Sequence, residues 1–347
     1  MDGMQPLGRS ELVVPRLGLG VMTWGEATGL SRFHPAKMAY GGAEGRDEER
    51  RAFETSLAAG VTLFDTAAMY SGGASERRLG ELSRDTPALI ATKFPGSMRA
   101  RAEDMPAELD ASLKRLGRQS VDLYQHHFPS NRVDIPRLMN LMADAVAAGK
   151  VRAVGVSNYS AEQLRLAHRV LAERGVALAS NQVEYSLLHR QPETNGVLDA
   201  CRELGVTLIA YTPLAGGALT GKYAAGDRPK GLRRFMMKQF RRGGLEAVAP
   251  VVALLREIGA AHDAKPAQVA IRWLMENECV LPIPGAKNGR QAADNAGALA
   301  FRLSPGEVEA LDRATVAWRG SGGPPRPTGD FAHLLTPSSQ FLNTLAL

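Results

Sequence analysis

The chain has 347 residues, of which 44% are hydrophobic, 22% charged and 6% aromatic. This is the composition of a globular protein and excludes collagen-like and disordered chains. The 42 basic and 36 acidic residues give a net charge of +6, which permits binding of phosphate-bearing ligands but does not by itself indicate nucleic-acid binding.

Two cysteines, Cys201 and Cys279, are too few for a disulfide framework and fit a reducing compartment. No apolar run is long enough to span a bilayer. The N-terminus has no basic region followed by an apolar one, so it does not resemble a secretory signal. We therefore expect a cytoplasmic protein with no membrane partner.

Short runs rich in Val, Ile, Leu and Ala alternate along the chain with longer amphipathic stretches. A buried run followed by a helical pattern is typical of a β-α unit in a parallel sheet that is covered on both faces. Helical patterns include 107–116, 161–171 and 247–261. The predicted strands are residues 17–22, 61–65, 88–93, 121–127, 151–157, 179–184, 206–211 and 279–283.

Eight such strands predict an α/β fold, a (β/α)8 TIM barrel that takes up most of the chain as a single domain. The rival is a doubly wound open sheet, which predicts a GxGxxG fingerprint after the first strand. Gly18 and Gly20 are the nearest match, but residues 21–24 continue the strand, so the barrel is favoured. We expect the barrel to span 1–319, and 320–347 to be a flexible link and C-terminal tail.

Two segments fit neither strand nor helix, and they follow the first and seventh strands. They cover residues 25–46 and 222–244. Loops after strands lie at the C-terminal face of a barrel, where active sites form, and long loops there are usually functional. The second loop is strongly basic: its charged residues are Lys222, Asp227, Arg228, Lys230, Arg233, Arg234, Lys238, Arg241 and Arg242.

Proton-carrying residues stand at the ends of three successive predicted strands. Asp65 ends the second strand with Tyr70 just beyond it, Lys93 ends the third and His127 ends the fourth. A tyrosine can donate a proton to a developing alkoxide, and a nearby lysine lowers its pKa toward neutral. A carboxylate keeps that lysine charged. Each residue alone is more often a cap or a packed polar residue, but the series indicates a catalytic group.

Long motifs around these residues resemble those of the aldo-keto reductase family. LFDTAAMYSGGASERRLGE is similar to its FDTAxxYG motif, ATKFP to the segment with its lysine, and VDLYQHHFPS to the segment with its histidine. Further matches in order are VRAVGVSNYSAEQL, NQVEYSLLHR, IAYTPLAGGALTGKY, KPAQVAIRWLMEN and IPGAKNGRQAADN. The chain is identified as a bacterial-type member with an extended loop after strand 1.

The resemblance implies a catalytic tetrad of Asp65, Tyr70, Lys93 and His127. It implies reversible reduction of an aldehyde or ketone, with a hydride from NADPH and a proton from Tyr70. Adjacent strand residues face opposite ways. We therefore expect His127 to reach the substrate oxygen and His126 to pack between barrel and helices.

The resemblance also implies a cofactor site. In it Ser157, Asn158 and Gln182 hold the carboxamide, Tyr211 stacks on the nicotinamide, and residues 212–217 wrap the pyrophosphate. Lys287 would contact a 2′-phosphate, which favours NADPH over NADH, although Asn288 and Gln291 depart from common family residues. The full implied set is Thr23, Trp24, Asp65, Ser157, Asn158, Gln182, Tyr211, Thr212, Pro213, Leu214, Ala215, Gly216, Gly217, Lys222, Gly285, Lys287, Gln291, Asp294 and Asn295.

The expected substrate pocket is mostly apolar, which favours aromatic or aliphatic aldehydes and ketones. Its implied residues are Trp24, Tyr70, His127 and Phe128. The basic loop is interpreted either as a clamp over the dinucleotide or as a solvated segment. It has no nucleic-acid recognition motif and no stacking platform.

Two other functions are alternatives to carbonyl reduction. One is a cofactor-bound regulatory or partner-binding subunit of the same fold, because some family members serve ion channels. The other is a metal-dependent barrel hydrolase, which needs several ligands at strand ends. Only His127 is so placed, so no metal site is predicted. The oligomeric state is left open.

Overall fold

Eight parallel strands form the core of the protein in a computed structural model that describes residues 3–26, 42, 44–95, 100–130, 132–223, 229, 233–241 and 243–320. They pair in chain order from β3 to β10. A parallel bridge between Gly20 and Gly285 joins the two outer strands, so the predicted (β/α)8 barrel is confirmed. The strands are β3 Gly18–Gly20, β4 Leu63–Asp65, β5 Leu89–Phe94, β6 Val121–His126, β7 Val151–Ser157, β8 Leu178–Glu184, β9 Thr207–Tyr211 and β10 Val280–Pro282.

Helices surround the barrel and alternate with the strands. Local signals set several of their ends: Ser160 and Gln163 form the predicted capping box of α5, and α3 ends at Gly117, whose φ of 63° costs glycine little. The helices are α1 Arg46–Ala58, α2 Ala74–Leu82, α3 Met105–Leu116, α4 Ile135–Ala147, α5 Ala161–Glu173, α6 Val197–Leu204, α7 Arg233–Met236, α8 Gly244–Ala261, α9 Pro266–Met275, α10 Gly289–Ala296 and α11 Pro305–Ala314.

An N-terminal hairpin, which the sequence pattern did not predict, closes one end of the barrel. It pairs β1 Met4–Pro6 with β2 Val13–Pro15. Leu7, at its turn, is fully buried with the residues that fill the barrel interior. The N–H of Gly8 donates to Oγ1 of Thr207, the first residue of β9, at 2.8 Å. The hairpin therefore covers the N-terminal ends of the strands and leaves the C-terminal ends for a site.

The structure leaves some predictions untested. Residues 27–41 of the loop after β3, part of the basic loop and residues 321–347 lie outside the described residues. The division at residue 319 therefore stays a prediction. Among the described helices, none has the length and apolar character that crossing a membrane requires.

Candidate active site

A buried ion pair joins the ends of β4 and β5 inside the barrel. Asp65 is the last residue of β4, and Lys93 is fully buried on β5. The Lys93 Nζ donates to Asp65 Oδ1 at 2.5 Å and to the carbonyl of Thr66 at 2.7 Å. A buried charge is tolerated only when it is paired and hydrogen-bonded, and both conditions hold here.

Tyr70 reaches this ion pair from the turn that follows β4. The next three residues all have left-handed backbone angles, and for Ser71, with φ 52°, this conformation is strained. The turn brings the Tyr70 ring to 5.0 Å from Lys93 Nζ, measured to the ring centroid. The ring also meets His127 edge to face, with centroids 5.7 Å apart. The structure thus brings together all four residues of the predicted tetrad.

The pKa values of Tyr70 and Lys93 follow from burial and from their mutual contact. Burial raises the pKa of Tyr70 above 10.0, and the opposing charge of Lys93 does not overcome it. Lys93 lowers the pKa of Tyr70, as the sequence predicted, but burial outweighs this effect and the net shift is upward. Burial opposes the charge on Lys93 as well, but Asp65 and Tyr70 raise the pKa of Lys93 above 10.5.

His127 and His126 face opposite sides of β6, as the alternation of strand residues predicts. His127 stacks on Phe128, with centroids 4.3 Å apart, and its buried Nδ1 has no hydrogen-bond partner among the described residues. Burial, helped by Lys93 and His126, holds the pKa of His127 well below 6.5, so its imidazole is neutral at neutral pH. On the other side, His126 Nδ1 lies 2.7 Å from the hydroxyl of Tyr159. Burial lowers the pKa of His126 to about 3.

Amide and hydroxyl groups at or near the ends of β7, β8 and β9 lie beside His127. Asn158, held in a left-handed conformation with φ 60°, donates from Nδ2 to the His127 carbonyl at 3.1 Å. Its Oδ1 accepts from the Tyr211 hydroxyl at 3.0 Å, and Ser157 Oγ donates to the Gln182 carbonyl at 2.8 Å. These four predicted residues form one cluster at the C-terminal face.

The turn after β9 has an unusual backbone. Thr212 and Ala215 have positive φ angles of 53° and 49°, and Gly216 and Gly217 follow with φ 66° and 97°. The φ of Gly216 favours glycine, and a Cβ there would lie 2.4 Å from Met237 Sδ, so a larger residue would have to displace the Met237 side chain. Strain of this kind concentrates at ligand-binding sites.

The basic loop is anchored to this turn where the structure describes it. Gln239 Nε2 donates to the Ala215 carbonyl at 2.8 Å, and Phe240 is fully buried. The Lys222, Arg234, Lys238 and Arg241 side chains are exposed around it.

The segment after β10 uses most of its predicted cofactor residues to support itself. Gln291 Oε1 accepts from the Lys287 N–H at 2.9 Å, and Asn295 Nδ2 donates to the Gly285 carbonyl at 3.2 Å. Asp294 forms a 2.5 Å ion pair with Lys265. The Lys287 side chain is half-exposed, and Gly285 is exposed.

Trp24, a predicted residue of the substrate pocket and of the cofactor site, lies between the end of β3 and the loop after β10. It is fully buried in the hydrophobic core, its indole Nε1 donates to the Ala286 carbonyl at 2.8 Å, and its ring lies 6.4 Å from that of Phe64. Trp24 therefore joins the end of β3 to the loop after β10, and its contribution to the substrate pocket stays a prediction. Its neighbour Thr23 is half-exposed.

A model of the aldo/keto reductase family matches residues 16–315, the whole barrel from β3 to α11. The chain belongs to the aldo/keto reductase family. It is an NAD(P)H-dependent oxidoreductase that acts on small carbonyl compounds and CH–OH groups.

Related proteins support the same assignment. The reductase is 37% identical to an uncharacterized oxidoreductase of Mycobacterium bovis over 327 residues, which cover 92% of this chain and 93% of the relative. It is 34% identical to aldo-keto reductase yakc [NADP(+)] of Schizosaccharomyces pombe, covering 74% and 80% of the two chains. A thermostable aldo-keto reductase solved with the inhibitor epalrestat superposes with a TM-score of 0.69 at 29% identity, covering 90% and 99%.

The residues of this reductase fit a nicotinamide dinucleotide. Two amides and a serine hydroxyl beside the half-exposed Tyr211 ring match a carboxamide on an aromatic ring. Gly216 and Gly217, which lack a Cβ and have positive φ angles, suit close approach of a pyrophosphate to the backbone, and Lys287 adds a positive charge.

A second buried ion pair near the site was missed by sequence reasoning. Glu49 of α1 accepts from Arg78 Nε of α2 at 2.6 Å and from the backbone N–H of Gly25 at 2.8 Å. Arg78 Nη2 donates to the carbonyl of Arg46. Gly25 precedes the long loop after β3 and Arg46 follows it, so this pair ties the two ends of the loop together. Glu49 and Arg78 lie on helices in a pattern typical of surface charges, so the sequence did not indicate that they hold the ends of the loop.

Proposed function

We propose that this reductase uses NADPH to reduce a small aldehyde or ketone to the alcohol, with Tyr70 as the proton donor. The observation that carries the proposal is the convergence of Tyr70 on both the Lys93–Asp65 ion pair and His127. A tyrosine hydroxyl beside a fixed ammonium and a neutral imidazole is suited to protonating an oxygen that gains negative charge.

Tyr70 holds its proton until it is needed. Because burial keeps its pKa above 10.0, the Tyr70 hydroxyl is protonated at neutral pH. It can therefore give its proton to the carbonyl oxygen. The phenolate left behind is stabilised by Lys93, whose own proton is secured by Asp65 and the Thr66 carbonyl. Proton transfer therefore leaves its charge within a buried, compensated cluster.

His127 acts as a neutral hydrogen-bond partner of the substrate oxygen. Its pKa is too low for the ring to serve as the acid at neutral pH, so Tyr70 supplies the proton. A neutral imidazole still donates one N–H, and such a donor stabilises the oxygen as charge develops on it.

The cofactor residues follow from the same cluster. Ser157, Asn158 and Gln182 would hold the carboxamide, and Tyr211 would lie against the nicotinamide ring. When bound, the nicotinamide supplies the hydride, while the protein provides position and electrostatics. Residues 212–217 would contact the pyrophosphate and Lys287 a 2′-phosphate. The NADP(+) in the name of the Schizosaccharomyces pombe relative supports NADPH over NADH.

Tyr70, His127 and Phe128 would form the wall of the substrate pocket, which favours an aromatic or aliphatic carbonyl substrate. The stacked His127 and Phe128 rings present a flat surface beside the proton donor. A screen of such aldehydes and ketones with NADPH and NADH tests the proposal. Oxidation of NADPH by part of the panel is expected. Tight NADPH binding without turnover of any compound would instead favour a cofactor-bound regulatory subunit.

A further inference from the structure

Gln125 lies in the barrel interior against the catalytic carboxylate, although no motif assigned it a role. It is fully buried on β6, two residues before His127 and on the same face of the strand. Its Nε2 donates to Asp65 Oδ2 at 3.2 Å. Asp65 thus accepts a hydrogen bond from Lys93 at Oδ1 and one from the Gln125 amide at Oδ2.

Gln182 completes this arrangement from the far side of the barrel. Its Nε2 donates to Asp65 Oδ2 at 2.9 Å and to Gln125 Oε1 at 3.3 Å. Both hydrogens of that amide nitrogen are therefore donated to protein acceptors. A ligand that takes one of them must displace Asp65 or Gln125 as acceptor, whereas the bond from Gln125 to Asp65 can persist.

The neighbouring strand leaves room for this contact. Gly155 of β7 pairs with Gln125 of β6 and with Ser180 of β8. A Cβ at this position would lie 3.0 Å from Gln125 Cγ and 2.4 Å from Ser180 Oγ. A side chain at position 155 would clash with Ser180 and press on Gln125, so the glycine leaves room for Gln125 to extend across the interior.

We propose that Gln125 is a positioning residue of this reductase, whose amide joins Asp65 to Gln182. It keeps the carboxylate aligned on Lys93 and keeps the Gln182 amide oriented when a nicotinamide ring is bound. This inference rests on the proposed function, because it assigns Gln125 an effect on proton transfer through Asp65 and Lys93 and an effect on cofactor binding through Gln182.

Two variants of Gln125 and one control test the role. Gln125→Met keeps the length of the side chain and removes its donor and acceptor. Ser180→Ala removes a buried hydroxyl from the same layer, and that hydroxyl has no partner among the described residues. We expect Gln125→Met to lower kcat about tenfold with little change in the carbonyl KM, since a hydrogen bond to a charged group is lost. Ser180→Ala should match wild type. Equal kcat values for the two variants would overturn the proposal.

Binding provides a readout that needs no turnover. NADPH affinity, measured by titrating protein fluorescence, should fall in Gln125→Met because Gln182 loses the group that orients it. Unchanged affinity would remove the role in cofactor binding. If the wild type binds NADPH but reduces no carbonyl compound, the proposed function fails while this comparison still decides whether Gln125 acts on Gln182.

Gln125→Glu covers the case in which the methionine variant does not fold. The charged groups facing this position are Asp65 on β4 and Lys93 on β5, while β7 and β8 present Gly155, Ser180 and Gln182. A second carboxylate beside Asp65 has a raised pKa, so its stabilising protonated form is lost as pH rises. The Tm deficit relative to wild type should widen between about pH 5 and about pH 8. A deficit that does not vary with pH would contradict the contact with Asp65.

Discussion

The rings of Tyr70 and His127 meet edge to face at 5.7 Å between centroids, although the two residues come from different β-α units. This contact places the protonated hydroxyl of Tyr70 beside the neutral imidazole of His127. The roles proposed for the two residues can therefore be separated by substitution.

Tyr70→Phe removes the proton donor and keeps the ring. The reductive kcat should fall about 10²- to 10⁴-fold, the range for loss of a general acid. NADPH affinity should stay close to wild type, because the proposed role of the hydroxyl is toward the substrate oxygen and not toward the cofactor. Steady-state kinetics and a fluorescence titration check both parts. Near-normal turnover would refute the assignment of Tyr70 as the donor.

The two adjacent histidines should differ sharply in their effect on activity. His127→Ala should lower kcat/KM about 10²- to 10³-fold, as expected when a donor to a developing oxyanion is removed. His126→Leu should have a much smaller effect, since His126 bonds to Tyr159 behind the barrel wall. Kinetics on one carbonyl substrate suffice, and the reverse ranking would show that β6 presents His126 to the site.

Acid stability should depend on His126. Its pKa is about 3 in the folded protein against an ordinary value of 6.5, so below pH 6.5 the unfolded chain takes up a proton that the folded chain refuses. Stability is therefore lost as pH falls through this interval, by up to about 1.4 kcal/mol per pH unit for this group. Urea unfolding of His126→Leu across the interval should show a shallower slope. A slope equal to that of wild type would contradict the buried neutral state.

Lys287→Ala tests the choice between dinucleotides. Loss of a charge-assisted contact with a 2′-phosphate should raise the KM for NADPH about tenfold. The KM for NADH, which lacks that phosphate, should change much less. Equal increases for both cofactors would remove the proposed role of Lys287.

Glu49→Ala should destabilise the protein by about 3 kcal/mol, because it leaves Arg78 as a buried charge without its closest carboxylate. The matched control is Glu81→Ala. Glu81 also pairs with Arg78, but its side chain is 48% exposed, so its loss should cost less than about 1 kcal/mol. Denaturant unfolding measures both. Similar losses would show that the Glu49–Arg78 pair does not hold the ends of the loop.

The barrel and the tetrad could be predicted because their signals are local. Runs of buried strand residues and helix-ending glycines repeat at short range, and Asp65, Lys93 and His127 stand where such runs end. In a parallel barrel all strand ends meet at one face, so positions along the chain become neighbours in space. The N-terminal hairpin was missed because two strands of three residues carry too little pattern, and their burial depends on the barrel that they close.

Tertiary structure alone decided the properties that depend on distant neighbours. Tyr70 keeps a raised pKa because burial outweighs Lys93, and no motif states how much water a site excludes. Asp294 pairs with Lys265 and Trp24 turns into the core because helices and loops far apart in the chain meet there. The amino-acid sequence determined which chemical groups arrive at the C-terminal face. Packing determined which of these groups are buried and which are bonded to each other. It also determined that Gln125 joins Asp65 to Gln182.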